Sequence, residues 1–236
     1  MKVFAISDLH LSLNNPKPMD IFGPVWDNYV DKVFADWREK VGEDDVVLMA
    51  GDFSWAMFLE DTKSDFELLK DLPGKKVIIR GNHDYWWKSI SAVRKFIPEG
   101  FYAIQNDALR FGNCVVCGTR GWTVVDDEDK ATPENVKIFK REVIRLELTL
   151  QEAQKLRQEG DRLICMIHYP PVNAKKDNSK FSELLENYGA NDVVFGHLHG
   201  YHNIPSTFVK NDINYYLTSC DLVGNKLTLI YDDGQK

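Results

Sequence analysis

Residues 77–84 read Val-Ile-Ile-Arg-Gly-Asn-His-Asp, an apolar run that turns at once into glycine and three donor side chains. Val77–Ile79 are β-branched and suit a buried strand, and Gly81 suits a tight turn where the chain leaves a sheet. The same order recurs elsewhere. Val3–Ile6 runs into Asp8-Leu9-His10, Val46–Met49 into Gly51-Asp52, Leu163–Ile167 into His168, and Val193–Phe195 into Gly196-His197-Leu198-His199. Five of the six histidines therefore follow strand ends. Side chains two apart on extended backbone point to one side, so Asp8 with His10, and His197 with His199, can each aim two donors at one point.

Between the early strands lie helical patterns at Trp26–Val41, Asp65–Leu72 and Trp86–Phe96. Strand–helix–strand order predicts right-handed crossovers and parallel pairing, hence an α/β fold. Further strand-like runs occur at Ala103–Ile104, Cys114–Cys117, Asn214–Thr218 and Leu227–Tyr231. The last two read as a hairpin, added antiparallel because no helix separates them. One long helix is expected from Thr132 as N-cap and Pro133 as first residue to an end at Gly160. Its stripe of Val136, Phe139, Val143, Leu146, Leu150 and Ala153 should dock on a neighbouring element of the same chain. Asp126–Lys130, just before it, is a polar run expected in an exposed loop long enough to fold over a site. No linker or internal repeat divides the sequence, so residues 1–236 read as one domain with a helical and loop insertion around 120–160.

Composition narrows the function classes. An apolar content of 44% and a net charge of −7 describe a globular protein without the basic field of a general nucleic-acid binder. No run approaches the ~18 apolar residues that span a membrane. The Val3–Ile6 stretch is too short for a signal peptide and Asp8 and His10 follow at once, so a cleaved leader would take two candidate donors with it and a cytoplasmic location is expected. Cys114 and Cys117 form a CxxC but sit in a strand-like run without a second such pair, which favours packing over zinc or redox chemistry.

The donors in the clusters are imidazoles, carboxylates and one amide, with no thiolate. That set suits manganese, iron, cobalt, nickel or zinc. In sheet-based α/β folds, such groups gather beyond the carboxyl ends of the strands. Nucleotide-binding loops of the GxxxxGK[S/T] or GxGxxG type and a GxSxG elbow are absent from the sequence.

In order, DxH at Asp8, GD at Asp52, GNHD at residues 81–84, the lone His168 and GHxH at His197 and His199 resemble the calcineurin-like metallophosphoesterase superfamily. The motifs bracket roughly the first five-sixths of the chain. The resemblance implies a four-layer sandwich, two mixed β-sheets packed face to face with helices outside each. It implies two divalent ions, with manganese the expected pair. Asp8, His10, Asp52 and His199 would hold one; Asp52, Asn82, His168 and His197 would hold the other, with Asp52 shared. The implied reaction is hydrolysis of a phosphoester by a bridging hydroxide, with His83 as general acid and Asp84 orienting its neighbours. Asn82 and Arg120 are the expected substrate contacts.

Trp55 departs from the pattern. The resembling protein phosphatases carry Asp at that place and the purple acid phosphatases Tyr, so both subfamilies are disfavoured and the group that orients His83 is left open. Two divalent ions against Asp8, Asp52 and one hydroxide leave a single net positive charge, which matches the single negative charge of a diester. The expected substrate is therefore a small phosphodiester. A monoesterase, a nuclease or a non-catalytic scaffold of the same fold are the competing readings. His202, Lys175, Lys176, Trp86 and Trp87 read more readily as rim or packing residues than as parts of the site.

Overall fold

Each apolar run becomes a strand in the computed structural model, which describes residues 1–14, 16–200 and 205–234. Strands β1 (Lys2–Ala5), β2 (Val46–Met49), β3 (Lys75–Ile78) and β4 (Phe101–Ala103) pair in parallel. A second sheet holds β5 (Ala108–Phe111), β6 (Cys114–Thr119), β7 (Arg162–Ile167), β8 (Asp192–Phe195), β9 (Thr207–Lys210) and β10 (Ile213–Leu217), in the order β5-β6-β7-β8-β10-β9. Strand β11 (Thr228–Asp232) returns to the first sheet, antiparallel to β1, giving β11-β1-β2-β3-β4.

Alternation along the strands makes three cores from two sheets. Val3 and Ala5, Val46 and Leu48, and Val77 and Ile79 face Cys114, Val116, Ile164, Met166 and Val194 across the sandwich. The opposite face of the first sheet (Phe4, Val47, Met49, Ile78) is covered by α1 (Tyr29–Lys40), α2 (Lys63–Lys70) and α3 (Ile90–Phe96). That of the second sheet (Val115, Leu163, Cys165, Val193, Tyr215) is covered by α4 (Pro133–Leu156) and α5 (Lys180–Asn187). The four-layer α/β/β/α arrangement is the expected one. Among the described residues, no helix is long and apolar enough to cross a membrane.

Two expectations need correction. The strand β10 does not form a hairpin with β11; it pairs in parallel with β8 and antiparallel with β9, while β5 and β11 are antiparallel to β6 and β1. The reason lies just past β10, where the Ser7 amide donates to Thr218 O at 2.8 Å and the Cys220 amide donates to Ser7 O at 3.0 Å. These bonds carry the chain across from the second sheet to the end of β1. Helix α4 starts as expected, with Thr132 Oγ1 accepting from the Asn135 amide, but ends at Leu156 because Arg157 turns extended. Gly160 serves the following turn instead, at φ +81°.

The α4 stripe docks on its own chain: Phe139, Leu146, Leu150 and Ala153 are buried against β6 and α5. Cys114 and Cys117 are buried in β6 and unpaired, which bears out the packing reading. Strands β5 and β9 and helix α5 were not foreseen, being short or weakly patterned.

Candidate metal centre

The polar clusters meet at one edge of the sandwich, beyond the carboxyl ends of β1, β2, β3, β7 and β8. They do not converge by the extended geometry that their spacing suggested. Asp8 (φ 58°), His10 (47°), Asp52 (52°) and His197 (71°) all sit in the left-handed region. Residues with a Cβ occupy it at a cost of order 1 kcal/mol or more each, and persist there only where the surroundings fix them. Here each sharp turn swings a donor back over the strand end. Two glycines let the loops close this tightly: a Cβ on Gly81 would collide with Asp52, and one on Gly196 with the Asp8 carboxylate.

His10 Nε2 lies 3.3 Å from His199 Nε2, and His199 Nε2 lies 3.6 Å from Asp8 Oδ1. Asn82 Oδ1 lies 2.7 Å from His168 Nε2 and 2.8 Å from His197 Nδ1. Between the two groups stands Asp52 Oδ2, 3.8 Å from His10 Nε2 and 3.5 Å from His168 Nε2. That oxygen is buried and has no hydrogen-bond partner, whereas Asp52 Oδ1 accepts from the His83 amide at 2.8 Å. A buried carboxylate oxygen left bare among imidazoles is costly unless a cation completes it. All seven side chains expected as ligands are thus brought together, and Asp8, His10, Asp52, His168 and His199 have donor atoms close enough to hold metal ions.

Neighbouring groups set the orientation of each donor. The Asp8 carboxylate accepts from Ser219 Oγ at 2.9 Å and from the His197 amide. His168 Nδ1 contacts Ala50 O at 2.9 Å, and His199 Nδ1 contacts Asp221 Oδ1 at 3.0 Å. A carboxylate behind a liganding imidazole fixes its ring and raises its basicity. Asp84 accepts five hydrogen bonds, from the amides of Asp52, Phe53, Ser54 and Gly81 and from Trp86 Nε1, at 2.7–3.2 Å. It clamps the β2 loop to the β3 loop. The Trp55 ring packs on His10 and His83, and Tyr85 meets His83 edge-on.

Burial holds the pKa of His168 and His197 down to about 3, with neighbouring histidines adding to the effect at His197. Burial and then His199 lower that of His10. All three imidazoles are therefore neutral and ready to ligate near pH 7. Burial opposes a charge on His199 as well, yet the Asp221 hydrogen bond and the Asp8 charge outweigh it and raise its pKa. Burial and then the Asp52 charge raise Asp8, the signature of two carboxylates that lack a counter-ion.

Several residues stand elsewhere. The Arg120 guanidinium is paired with the buried Glu142 at 3.6 Å and lies over Trp122, in a 230 Å³ cavity shared with Arg80, Arg141 and Arg145. Its backbone carbonyl does serve the centre, accepting from the His168 and Tyr169 amides at 3.1 Å. Asp126–Lys130 is exposed as expected, with contacts to Asn173 and Lys140. Trp86 and Trp87 are buried in the first outer core, and Lys176 lies over Phe208. His202 falls outside the described residues. Asp221 and Ser219 were missed, although Thr218-Ser219-Cys220-Asp221 just past β10 repeats the strand-end order of the other clusters.

Residues 1–201 match the calcineurin-like phosphoesterase family, and the chain belongs to it. It is a metal-dependent phosphoester hydrolase that binds divalent ions. No curated protein matches the sequence. Solved structures share the fold, three of them as follows. Phosphopantetheinyl hydrolase (PptH) from Mycobacterium tuberculosis is 17% identical, with a TM-score of 0.58 over 100% of this chain and 97% of that one. TT1561 from Thermus thermophilus is 13% identical, with a TM-score of 0.55 over 97% of each chain. The protein of unknown function AQ665 from Aquifex aeolicus is 13% identical, with a TM-score of 0.52 over 97% and 95%.

Proposed function

We propose that the chain hydrolyses a small phosphodiester at a two-ion centre, with His83 delivering the proton to the leaving oxygen. The observation that carries the reading is Asp52 Oδ2, buried, unpartnered and set between His10 and His168. Asp8, His10, Asp52 and His199 would hold one ion, and Asp52, Asn82, His168 and His197 the other. Nitrogen and oxygen donors without thiolate suit manganese, the expected pair, and also iron, cobalt, nickel or zinc. Such ions supply Lewis acidity and water made nucleophilic near neutral pH.

The chain's own residues do the rest. Asp84 and Asp221 hold the donors in place, and Trp55 and Tyr85 hold the His83 ring. His83 is half-buried beside the first ligand set, and donates its proton as the phosphorus–oxygen bond to the alcohol breaks. The Arg120 guanidinium lies by Glu142, in a cavity lined by Arg80, Arg141 and Arg145 and not by the expected ligands, so the diester reading rests on the charge count, with Lys17 on the Trp55 ring as the cation to be weighed against it. Four unpaired, buried cysteines suit a reducing compartment, in line with the cytoplasm.

The test is kcat/KM on bis- and mono-nitrophenyl phosphate with protein loaded by each metal in turn. Diester turnover at least equal to monoester turnover is expected; a tenfold monoester preference would overturn the diester reading. Replacing His83 with Ala should cost about 10²–10⁴-fold on alkyl esters and little on nitrophenyl esters, whose leaving group needs no proton.

A further inference from the structure

Beside the cluster opens a cavity of about 520 Å³, within the size range of small-molecule sites. Its inner wall is His10, His83, His199 and Asp221; its outer wall is Met19, Phe22, Val25, Trp26 and Trp55. Asn82, His168 and His197 do not line it. The cavity therefore opens on the His83 side of the centre, where the proposed reading puts the alcohol that departs. Among the described residues, the outer wall carries no charged, amide or hydroxyl side chain to read the edge of a nucleobase. The one strongly polar handle on Trp55 is used internally, its indole nitrogen donating to Met19 Sδ at 3.4 Å. Its ring face is taken too, with the His10 ring stacked 4.6 Å away and Lys17 Nζ 3.9 Å from the ring centroid. Trp55 therefore offers a flat base no free face, and the exposed Phe22 ring at the mouth is left as the surface for which a base and a hydrocarbon compete. An apolar group of irregular shape would fill the space.

We propose that the preferred substrates are phosphoesters of an apolar alcohol, alkyl or alkyl-aryl, whose hydrocarbon part occupies this cavity while its oxygen meets His83. The inference rests on the proposed hydrolytic reading and adds the class of leaving group. Water's oxygen ends on phosphorus, the bond from phosphorus to the alcohol oxygen breaks, and the His83 proton ends on that oxygen. Phe22 stands at the mouth, 65% exposed, where a longer hydrocarbon would cover it.

The experiment uses metal-loaded protein and methyl 4-alkylphenyl phosphates, with the alkyl group running from none to butyl. The phenols have nearly equal acidity, so differences report binding of the hydrocarbon. Each added methylene should raise kcat/KM by up to about fourfold, the equivalent of about 0.8 kcal/mol per buried CH₂. Phe22→Ser, on an exposed side chain, should flatten the rise. A flat profile in the unaltered protein, or a preference for a nucleoside leaving group of equal size, would overturn the proposal. If no ester is turned over, the hydrolytic reading fails by itself and the cavity is judged separately. Binding of 4-alkylbenzylphosphonates, followed by tryptophan fluorescence, should then tighten with alkyl length, and affinity independent of length would overturn the cavity assignment.

Discussion

The Trp55 ring lies 4.6 Å from both His10 and His83, nearly parallel to the first and inclined by 54° to the second. Indole can neither accept a proton from His83 nor hold it through a strong hydrogen bond, so ring packing, together with the Tyr85 hydroxyl 3.4 Å from His83 Nδ1, is left to orient it. Aromatic contacts of this kind contribute about 0.5–1.5 kcal/mol each. Trp55→Ala should lower kcat on a small ester by about tenfold, with metal content unchanged and KM nearly so. Trp55→Phe should restore most of the rate. Loss of ions from the alanine variant would show that Trp55 supports His10 as a ligand instead.

Asp52 offers one carboxylate to both halves of the centre. Asp52→Asn keeps the shape, and its remaining oxygen still accepts from His83, but the shared negative charge is gone. Both ions should leave together, which elemental analysis of the dialysed variant measures. Two ions retained per chain would rule out the sharing.

Asp84 binds no ion in this reading, yet five donors point at it. An amide in its place would set its own NH₂ against some of these donors and strand them in a buried site. Asp84→Asn should destabilise the fold by about 3 kcal/mol, one to three unsatisfied groups at 1–3 kcal/mol each. At this chain length that is a fall in Tm of roughly 10 °C. A melting curve unchanged within 2–3 °C, judged against about 2–4 °C per kcal/mol, would show that the two loops hold together without it.

Acid should empty the centre in two stages. His199 has a raised pKa, so an ion in its set must displace a proton whose return, as pH falls, begins above the ordinary imidazole value of about 6.5. Asp8, in the same set, is also raised and takes up its proton early. His168 and His197, held at about 3, stay neutral far lower. Ion counts per chain during stepwise acidification should fall to one before falling to zero. A single midpoint for both would contradict the assignment of His199 to a separate set.

The strand-end donor clusters and the α/β class were legible in the sequence because apolar runs and donor motifs are local signals, and the four-layer fold and the seven-donor set followed from the family resemblance those motifs carry. The route by which donors converge was not. A left-handed φ at Asp8 or His197 is imposed by partners 189 residues away, as in the bond from the His197 amide to Asp8. The parallel placement of β10 was hidden for a related reason: the bonds joining Ser7 to residues 218–220 are long-range and leave no pattern in either segment. Asp221 was overlooked because an acidic residue after a strand is common until a histidine is seen behind it. The Trp55 departure was visible, but its consequence required the positions of three rings.

The bonds from Asp8 to His197 and Ser219 also govern when the protein can acquire its ions during synthesis. Asp8 leaves the ribosome 189 residues ahead of His197, and at about 5–20 residues per second that partner follows many seconds later. Until then its carboxylate lacks the two donors that hold it, and under the proposed assignment neither ligand set would be complete. Ion uptake would then be a late step that follows the emergence of β8 and the loop beyond it, and products stopping before residue 197 should hold fewer ions than the full chain.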